Sequence, residues 1–310
     1  MSGEILPHAE FTLPSFAKIN LILRVLGRRD DGYHEINTVF QSITLHDELT
    51  FKALDDERLE LVCDAPADIP SDETNLVHRA AVALRERCGV KRGARVKLEK
   101  IIPAGGGLGG GSSNAAVALL GLARLWEINI DRQTLAEIGA SLGADVPFFL
   151  TGGTALGTGR GIDIHPLADL PLKHFLLVTP KVKVSTAAAY KSLNALALTK
   201  AVSPANLTVS RVQAEISGSL HEVLTNDFER VVFQLYPEIE RVREALVAAG
   251  ASSSLLSGSG SSVYGLFDSL EQCARAKAAL IVASGWQVFP CTTLSRQAYK
   301  EAFGACANLL

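Results

Sequence analysis

A two-domain α+β fold is predicted, and three observations carry the prediction. Strand-like and helix-like segments alternate along the chain, which is the pattern of a layered α+β sandwich. The 310 residues are too many for one ordinary core and too few for three, so two units of roughly 150 residues are expected. A glycine-dense loop at 105–111 is wedged between a strand pattern and a helix pattern, which places it inside a fold rather than in a tether. Hydrophobic residues make up 47% of the chain and charged residues 20%, so a sizeable core is available and disorder is excluded.

Taken in order, residues 19–26 alternate loosely, 28–32 form a charged turn, and 39–49 are apolar and β-branched, which suggests an antiparallel start. Residues 65–72 carry Pro66 and Pro70 among aspartates, a surface loop ending where Asp72 or Thr74 can cap a helix. Leu76, Ala80, Ala83, Leu84 and Arg87 then follow helical spacing. Residues 94–102 read as a strand with Val96, Leu98 and Ile101 inward and Arg95, Lys97 and Glu99 outward. After the glycine loop, 115–126 reads as a buried helix rich in alanine and leucine. A second helix, 134–142, ends at Gly143 as a left-handed cap, leaving Asp145 in a turn. The domain boundary is placed near residue 165, dividing 1–165 from 166–310. In the second half, 175–179 and 253–256 read as strands, as does 263–267, with helices at 185–193, 238–249 and 270–283. Residues 195–219 show mixed periodicity and are left unassigned.

Several function classes are excluded early. A formal net charge of −3 offers no broad positive field for nucleic acid or an anionic membrane. No uncharged apolar run reaches the ~18 residues needed to span a bilayer. The five cysteines, at 63, 88, 273, 291 and 306, lack CxxC or CxxH spacing, so neither a zinc site nor a redox pair is expected. Residues 1–12 hold Glu4 and Glu10 but no lysine or arginine, unlike a secretory signal. A cytoplasmic protein with reduced thiols and no metal site of its own is the expectation.

Six glycines within 105–111 let backbone N–H groups converge on one point, and the helix starting near Ser113 adds partial positive charge there. That combination is an anion cradle. Gly105, Gly107 and Gly110 also satisfy the dinucleotide GxGxxG pattern, with Asp131 following. The preceding strand alternates in polarity, however, where the first strand of a dinucleotide fold is apolar on both faces. A Walker A loop is excluded because no lysine follows the glycines. Any cation must come from elsewhere in the chain.

Three motifs in order, 14–21 (Pro-Ser-Phe-Ala-Lys-Ile-Asn-Leu), 103–114 and 257–261 (Ser-Gly-Ser-Gly-Ser), resemble the GHMP small-molecule kinases. The resemblance implies a two-domain GHMP-kinase-like α+β architecture. Its N-terminal half would be ribosomal-protein-S5-domain-2-like and its C-terminal half ferredoxin-like. It implies ATP as co-substrate, accompanied by Mg2+, with the ATP phosphates on Pro103, Ala104, Gly105, Gly106, Gly107, Leu108, Gly109, Gly110, Gly111, Ser112 and Ser113. Asn75 and Lys100 would lie near the adenosine, and a hydroxyl of Ser112 or Ser113 could join the metal's shell.

Four stretches, 17–21, 29–34, 107–116 and 142–148, resemble the branch of that family whose small-molecule substrate is a cytidine diphosphate-linked methylerythritol. By that resemblance Asp145 would accept the hydroxyl proton or anchor the acceptor, with Lys18 orienting it. Tyr33 and Tyr190 would stack on the cytosine and His34 would hydrogen-bond its edge. Asn20 and Thr186 are further substrate contacts on the same ground. The loop 257–261 is read either as a second approach to phosphate or as a tight hairpin turn. Other GHMP kinases, of the homoserine or mevalonate type, and a non-catalytic nucleotide-binding protein stay as alternatives.

Overall fold

Long apolar alternation gives long strands. In the computed structural model, which describes residues 10–64, 69–197, 209–218 and 220–310, β1 (Phe11–Arg28) and β2 (His34–Leu54) pair antiparallel along their whole length. Three register shifts interrupt the pairing, one of them between Asn20 and Ile22. There follow β3 (Leu59–Asp64), α1 (Leu76–Cys88), β4 (Gly93–Glu99), α2 (Gly110–Leu125), α3 (Arg132–Leu142), the short α4 (Val146–Phe149), β5 (Thr154–Thr158) and β6 (Asp163–Pro166). Next come β7 (His174–Thr179), α5 (Thr186–Ala197), α6 (Val209–Ser217), α7 (Leu220–Val223), the two-residue β8 (Thr225–Asn226) and α8 (Glu229–Leu235). The chain closes with α9 (Pro237–Ala248), β9 (Ser253–Leu256), β10 (Val263–Phe267), α10 (Leu270–Ser284), β11 (Gln287–Thr292), α11 (Arg296–Ala302) and a 3-10 turn at Gly304–Leu309.

The fold is α+β with two sheets. The first has the order β3-β4-β2-β1-β8, with β5 on the upper part of β2 and β6 on β5. The second is antiparallel, in the order β11-β7-β10-β9. Helix α2, apolar on nearly every side, lies over the first sheet among Phe51, Leu49 and Phe148. Its packing is closed from the far end of the chain: Tyr299 and Phe303 of the C-terminal helix belong to this same cluster, and the Tyr299 hydroxyl donates to the Phe149 carbonyl at 2.6 Å. A second apolar cluster joins the sheets through Ala17, Ile19 and Leu21 on one side and Phe175, Leu177 and Tyr264 on the other. The third cluster seats α8, α9 and α10 on the second sheet.

Several local expectations are corrected. Helix α1 is capped by Asn75, whose Oδ1 accepts from the Val77 N–H at 2.9 Å, whereas Asp72 turns its carboxylate to the Thr74 N–H. Ile101 is 51% exposed and Ile102 is buried, because β4 ends at Glu99 and the N–H groups of both residues turn to the Asp47 carboxylate. Helix α2 begins at Gly110, inside the glycine run rather than at 115 or Ser113. Gly143 has an extended backbone with φ 178° rather than a left-handed one. Strand β3, unforeseen, pairs parallel to β4. Within 195–219, the end of α5 and all of α6 are helical. Residues 198–208 and 219 lie outside the described residues, as do 1–9 of the amino-terminal stretch and 65–68 of the proline-containing loop. Among the described residues no helix is long and apolar enough to cross a membrane.

Candidate active site

Residues two apart in a strand face the same way, and in β1 that geometry turns Lys18 and Asn20 together toward a cavity. Both are buried, at 3% and 2% exposure. The Lys18 ammonium donates to Asn20 Oδ1 at 2.6 Å and stands 3.5 Å from Asp145 Oδ2. It also lies 5.5 Å from the centroid of the Phe40 ring. Burial lowers the Lys18 pKa from that of a free lysine, while the charge of Asp145 and its hydrogen bond pull the other way. Asp145 occupies the N-cap position of α4, with its side chain one-third exposed to the cavity. The Lys18 N–H donates to the Leu108 carbonyl at 3.0 Å, so the strand that carries the ammonium is tied directly to the glycine loop.

The loop itself bends at Gly105, Gly107 and Gly109, whose φ values are +69°, +76° and +68°, the left-handed region that glycine enters without penalty. Gly109 is the N-cap residue of α2, so the free N–H groups of that helix open onto the loop. The second half of the molecule closes over the loop from above. Ser257 Oγ donates to the Gly107 carbonyl and the Ser262 N–H to the Gly106 carbonyl, each at 3.0 Å. A Cβ built on Gly107 would fall 2.0 Å from the Ser257 carbonyl oxygen. The 257–262 segment is a turn between β9 and β10, and its Gly258 and Ser259 line the larger of the cavities at the loop.

Two cavities meet at this loop. One, of about 390 Å³, runs along residues 103–112 and is walled by Pro70, Asn75 and Lys100. The other, of about 700 Å³, holds Lys18, Asn20 and Asp145 at one end and Tyr33, His34, Thr186 and Tyr190 further along. Gly107, Gly109 and Ser112 line both. In the larger cavity His34 and Tyr190 stack with centroids 4.6 Å apart and planes 24° apart, and Phe228 supports Tyr190 edge-on at 4.7 Å. Burial pushes the Tyr190 pKa up to about 12, with the Asp145 charge contributing, so the phenol stays neutral. Such a site can hold a polyphosphate on backbone amides beside a carboxylate and an ammonium, with aromatic rings beyond them, where His34 stacks on Tyr190 rather than standing edge-on to an open slot.

The family model for the GHMP kinases N terminal domain matches residues 75–153, and that for the GHMP kinases C terminal matches residues 213–283. Among curated proteins, the 4-diphosphocytidyl-2-C-methyl-D-erythritol kinase of Thermodesulfovibrio yellowstonii is 43% identical over 268 residues, 86% of this chain and 92% of that protein. The like-named kinase of Synechococcus sp. is 42% identical over 275 residues, covering 86% of this chain and 88% of that one. This chain belongs to the 4-diphosphocytidyl-2-C-methyl-D-erythritol kinase family, within the GHMP kinases. A crystal structure of 4-(cytidine 5'-diphospho)-2C-methyl-D-erythritol kinase superposes with a TM-score of 0.75 at 35% identity, covering 92% of this chain and 99% of that one. Mevalonate kinase of L. major, at 16% identity and a TM-score of 0.72 over 95% of this chain and 99% of its own, shares the fold.

In this kinase the expected residues do not all stand in the same relation to the cavities. Residues 103–112 line the smaller one throughout. Ser113 turns away from it: fully buried, it accepts a hydrogen bond from Ser15 Oγ at 2.8 Å. Asn75 borders the smaller cavity while its side chain also caps α1 and donates to the Pro70 carbonyl at 2.7 Å. Thr186 shares a hydrogen bond of 2.9 Å with Ser259 across the mouth of the larger cavity. Tyr33 is 53% exposed, and the Arg160 guanidinium lies 3.5 Å from its ring centroid.

Lys100 is the expected residue whose partners are most constrained. Its ammonium donates to Asp47 Oδ2 at 2.5 Å and to the Ile102 carbonyl at 2.8 Å. Asp47, wholly buried, also accepts from the N–H groups of Ile101 and Ile102 and from Asn114 Nδ2. It therefore holds the chain at the entrance to the glycine loop, and sequence reading missed it. The available signal was the Asp47-Glu48 pair inside the strand 39–49, of which alternation must turn one carboxylate inward; Asp47 is buried and Glu48 exposed. Arg160 and Asn226 were missed as well. Asn226 donates to the carbonyls of Leu256 and Gly258 and so sets the base of the 257–262 turn. Asp47→Ala strands a buried ammonium and two N–H groups, and unfolding in urea is expected to show a loss of roughly 3–5 kcal/mol.

Proposed function

We propose that the kinase transfers the γ-phosphoryl group of ATP to the 2-hydroxyl of 4-diphosphocytidyl-2-C-methyl-D-erythritol, giving the 2-phosphate and ADP in non-mevalonate isoprenoid precursor synthesis. The observation that carries this reading is the position of Lys18 and Asp145 where the two cavities meet. In it, the polyphosphate lies on the amides of 105–112 and the free N–H groups of α2, with the adenosine towards Asn75 and Lys100. The acceptor occupies the larger cavity, its cytosine against Tyr190 and Tyr33 with His34 at the base edge, an arrangement that requires the His34 ring to swing off the Tyr190 ring on which it stacks. The acceptor oxygen forms the new bond to the γ-phosphorus as the bond to the β–γ bridging oxygen breaks. Its proton passes to the Asp145 carboxylate, while the Lys18 ammonium holds that carboxylate in place and offsets the negative charge gathered between the reactants.

Magnesium fits as an ion carried by the nucleotide. Among the described residues no cluster of three or more histidine, cysteine, aspartate or glutamate side chains could cage a metal, and Mg2+ characteristically keeps several waters and binds through substrate phosphates. When bound, it would neutralise charge on the β- and γ-phosphates, and the hydroxyl of Ser112, which lines both cavities, is the side chain offered to its shell. Ser113, buried against Ser15, is withdrawn from that role. With no membrane-crossing helix among the described residues, a cytoplasmic location accords with small-molecule metabolism.

The direct test is ADP release coupled to 31P NMR of the product with this acceptor and magnesium-ATP; a new monoester resonance at the tertiary carbon supports the reading, and its absence with folded protein contradicts it. Tyr190→Ala is expected to raise KM for the acceptor roughly tenfold to a hundredfold, the worth of one base–aromatic stack, with KM for ATP within about twofold. The lowered Lys18 pKa sets a pH dependence as well. A folded-state pKa below the 10.5 of a free lysine means the ammonium is lost earlier than in the unfolded chain. The alkaline limb of kcat/KM, which reports the free enzyme, is therefore expected to have its midpoint below 10.5. Over the window between the two pKa values the unfolded chain binds the extra proton, so this group makes folding more favourable as pH rises.

A further inference from the structure

We propose that Thr38, which does not border the larger cavity, is a positioning residue for phosphoryl transfer: it fixes the amide of Asn20 so that Oδ1, not Nδ2, meets the Lys18 ammonium. The inference rests on the functional reading above and adds a residue to it. Thr38 is 1% exposed and lies in β2, and its hydroxyl takes part in two hydrogen bonds. It donates to the Ile22 carbonyl at 2.8 Å and accepts from Asn20 Nδ2 at 2.7 Å.

A threonine hydroxyl has one proton to give. Because the Ile22 carbonyl can only accept, that proton is committed to it, and the hydroxyl oxygen is left as an acceptor toward Asn20. The NH2 side of the amide must then face Thr38, which leaves Oδ1 facing Lys18 at 2.6 Å. The opposite flip would mismatch both ends, donor against donor where the amide N–H meets the ammonium and acceptor against acceptor where the amide oxygen meets a hydroxyl with no proton to offer. The backbone supplies the second half of the device. The register shift between Asn20 and Ile22 places Asn20 opposite Phe40 and Leu23 opposite Thr38, which brings Thr38 within reach of Asn20 on the cavity side of the strand. The Tyr264 hydroxyl donates to the Asn20 carbonyl at 2.9 Å, so the main chain there is pinned while the side chain is oriented. The ammonium is thus held between two acceptors, Asn20 Oδ1 and the Asp145 carboxylate, and only one of them depends on Thr38.

The test compares Thr38→Val, which keeps shape and loses the hydroxyl, with Thr38→Ser, which restores it. For Thr38→Val the expected result is a kcat lowered roughly tenfold to a hundredfold, with KM for ATP and for the acceptor within about threefold of wild type. Thr38→Ser is expected within about threefold of wild type in all three constants. A Thr38→Val enzyme with unchanged kcat, or a Thr38→Ser enzyme as slow as Thr38→Val, would overturn the proposal. Carbon-13 NMR of lysine Cε, with the Lys18 signal assigned by its loss in Lys18→Met, reads the same contact without turnover. The charged and titratable groups that face Lys18 are Asp145 and, along the cavity, Tyr33, His34, Tyr190 and Arg160, and all are unchanged by the substitution. Loss of the Asn20 acceptor is expected to move the Lys18 titration to lower pH in Thr38→Val and not in Thr38→Ser; an unmoved midpoint counts against the proposal. If wild type fails to phosphorylate the acceptor, the functional reading falls, and the Lys18 titration still decides the role of Thr38.

Discussion

Asp145→Asn is expected to lower kcat by roughly a hundredfold to ten-thousandfold, with KM for ATP changed by no more than a few-fold. The size follows from what asparagine keeps and what it loses. It can still occupy the N-cap position of α4 and offer an oxygen toward Lys18, but it cannot take the proton from the acceptor hydroxyl. It also removes the negative charge that opposes the effect of burial on Lys18, so the ammonium titrates at still lower pH and the alkaline limb of kcat/KM moves down with it. Single-turnover kinetics with saturating ATP check the effect on the chemical step. A base and an anchor separate in the comparison with Asp145→Ala. Where proton acceptance dominates, asparagine and alanine are equally slow; where positioning dominates, asparagine retains most of the rate.

Gly107→Ala is expected to be among the most damaging glycine-to-alanine changes at the described residues. The backbone there has φ +76°, and the added Cβ would lie 2.0 Å from the Ser257 carbonyl oxygen, a clash between two main chains that no side-chain rotation relieves. Relief requires the glycine loop and the 257–262 turn to separate, which breaks the Ser257 to Gly107 hydrogen bond and opens the junction of the two cavities. Catalysis responds steeply to such misplacement, and kcat/KM for ATP is expected to fall by roughly a hundredfold or more. Gly105→Ala is the internal control. Its φ is also positive, at +69°, but nothing lies within 4 Å of the new methyl group. It should cost only the ~1–2 kcal/mol of left-handed strain and leave the 257–262 turn seated on the loop, so urea unfolding is expected to show a smaller loss than for Gly107→Ala.

Much of this architecture was legible because it is written in local pattern. The strand 94–102, the glycine loop and the helix after it form one uninterrupted signal, and helices α9 and α10 follow apolar spacing closely. What stayed hidden depends on partners distant in sequence. Strand β3 is half exposed and takes its place only by pairing with β4. Asn75 outcompetes Asp72 and Thr74 as the cap of α1 because its amide also reaches the Pro70 carbonyl, which no local rule contains. Helix α2 begins among glycines, poor helix formers, because Gly109 turns the chain and the sheet beneath it, with Phe51 and Phe148, supplies the burial.

The candidate site divides the same way. Lys18 and Asn20 share a strand face by simple alternation, and Tyr33 with His34 sits beside a turn, so their proximity could be argued from spacing. That Asp145, more than a hundred residues on, meets Lys18 at 3.5 Å followed only from family resemblance. Asp47 and Thr38 had no motif to announce them. Both are polar residues at inward positions of β2, where a strand pattern calls for apolar ones, and a buried polar residue that persists in such a place must be satisfied by partners.

The measurement that bears most directly on the central claim is ADP release with magnesium-ATP. The acceptors are 4-diphosphocytidyl-2-C-methyl-D-erythritol, mevalonate and homoserine, with wild type run beside Asp145→Ala and Lys18→Ala. Turnover confined to the cytidine-bearing acceptor and lost in both variants is the predicted result. Turnover of mevalonate or homoserine instead, or a rate indifferent to loss of Asp145, would contradict the assignment of the aromatic rings or of the Lys18–Asp145 pair.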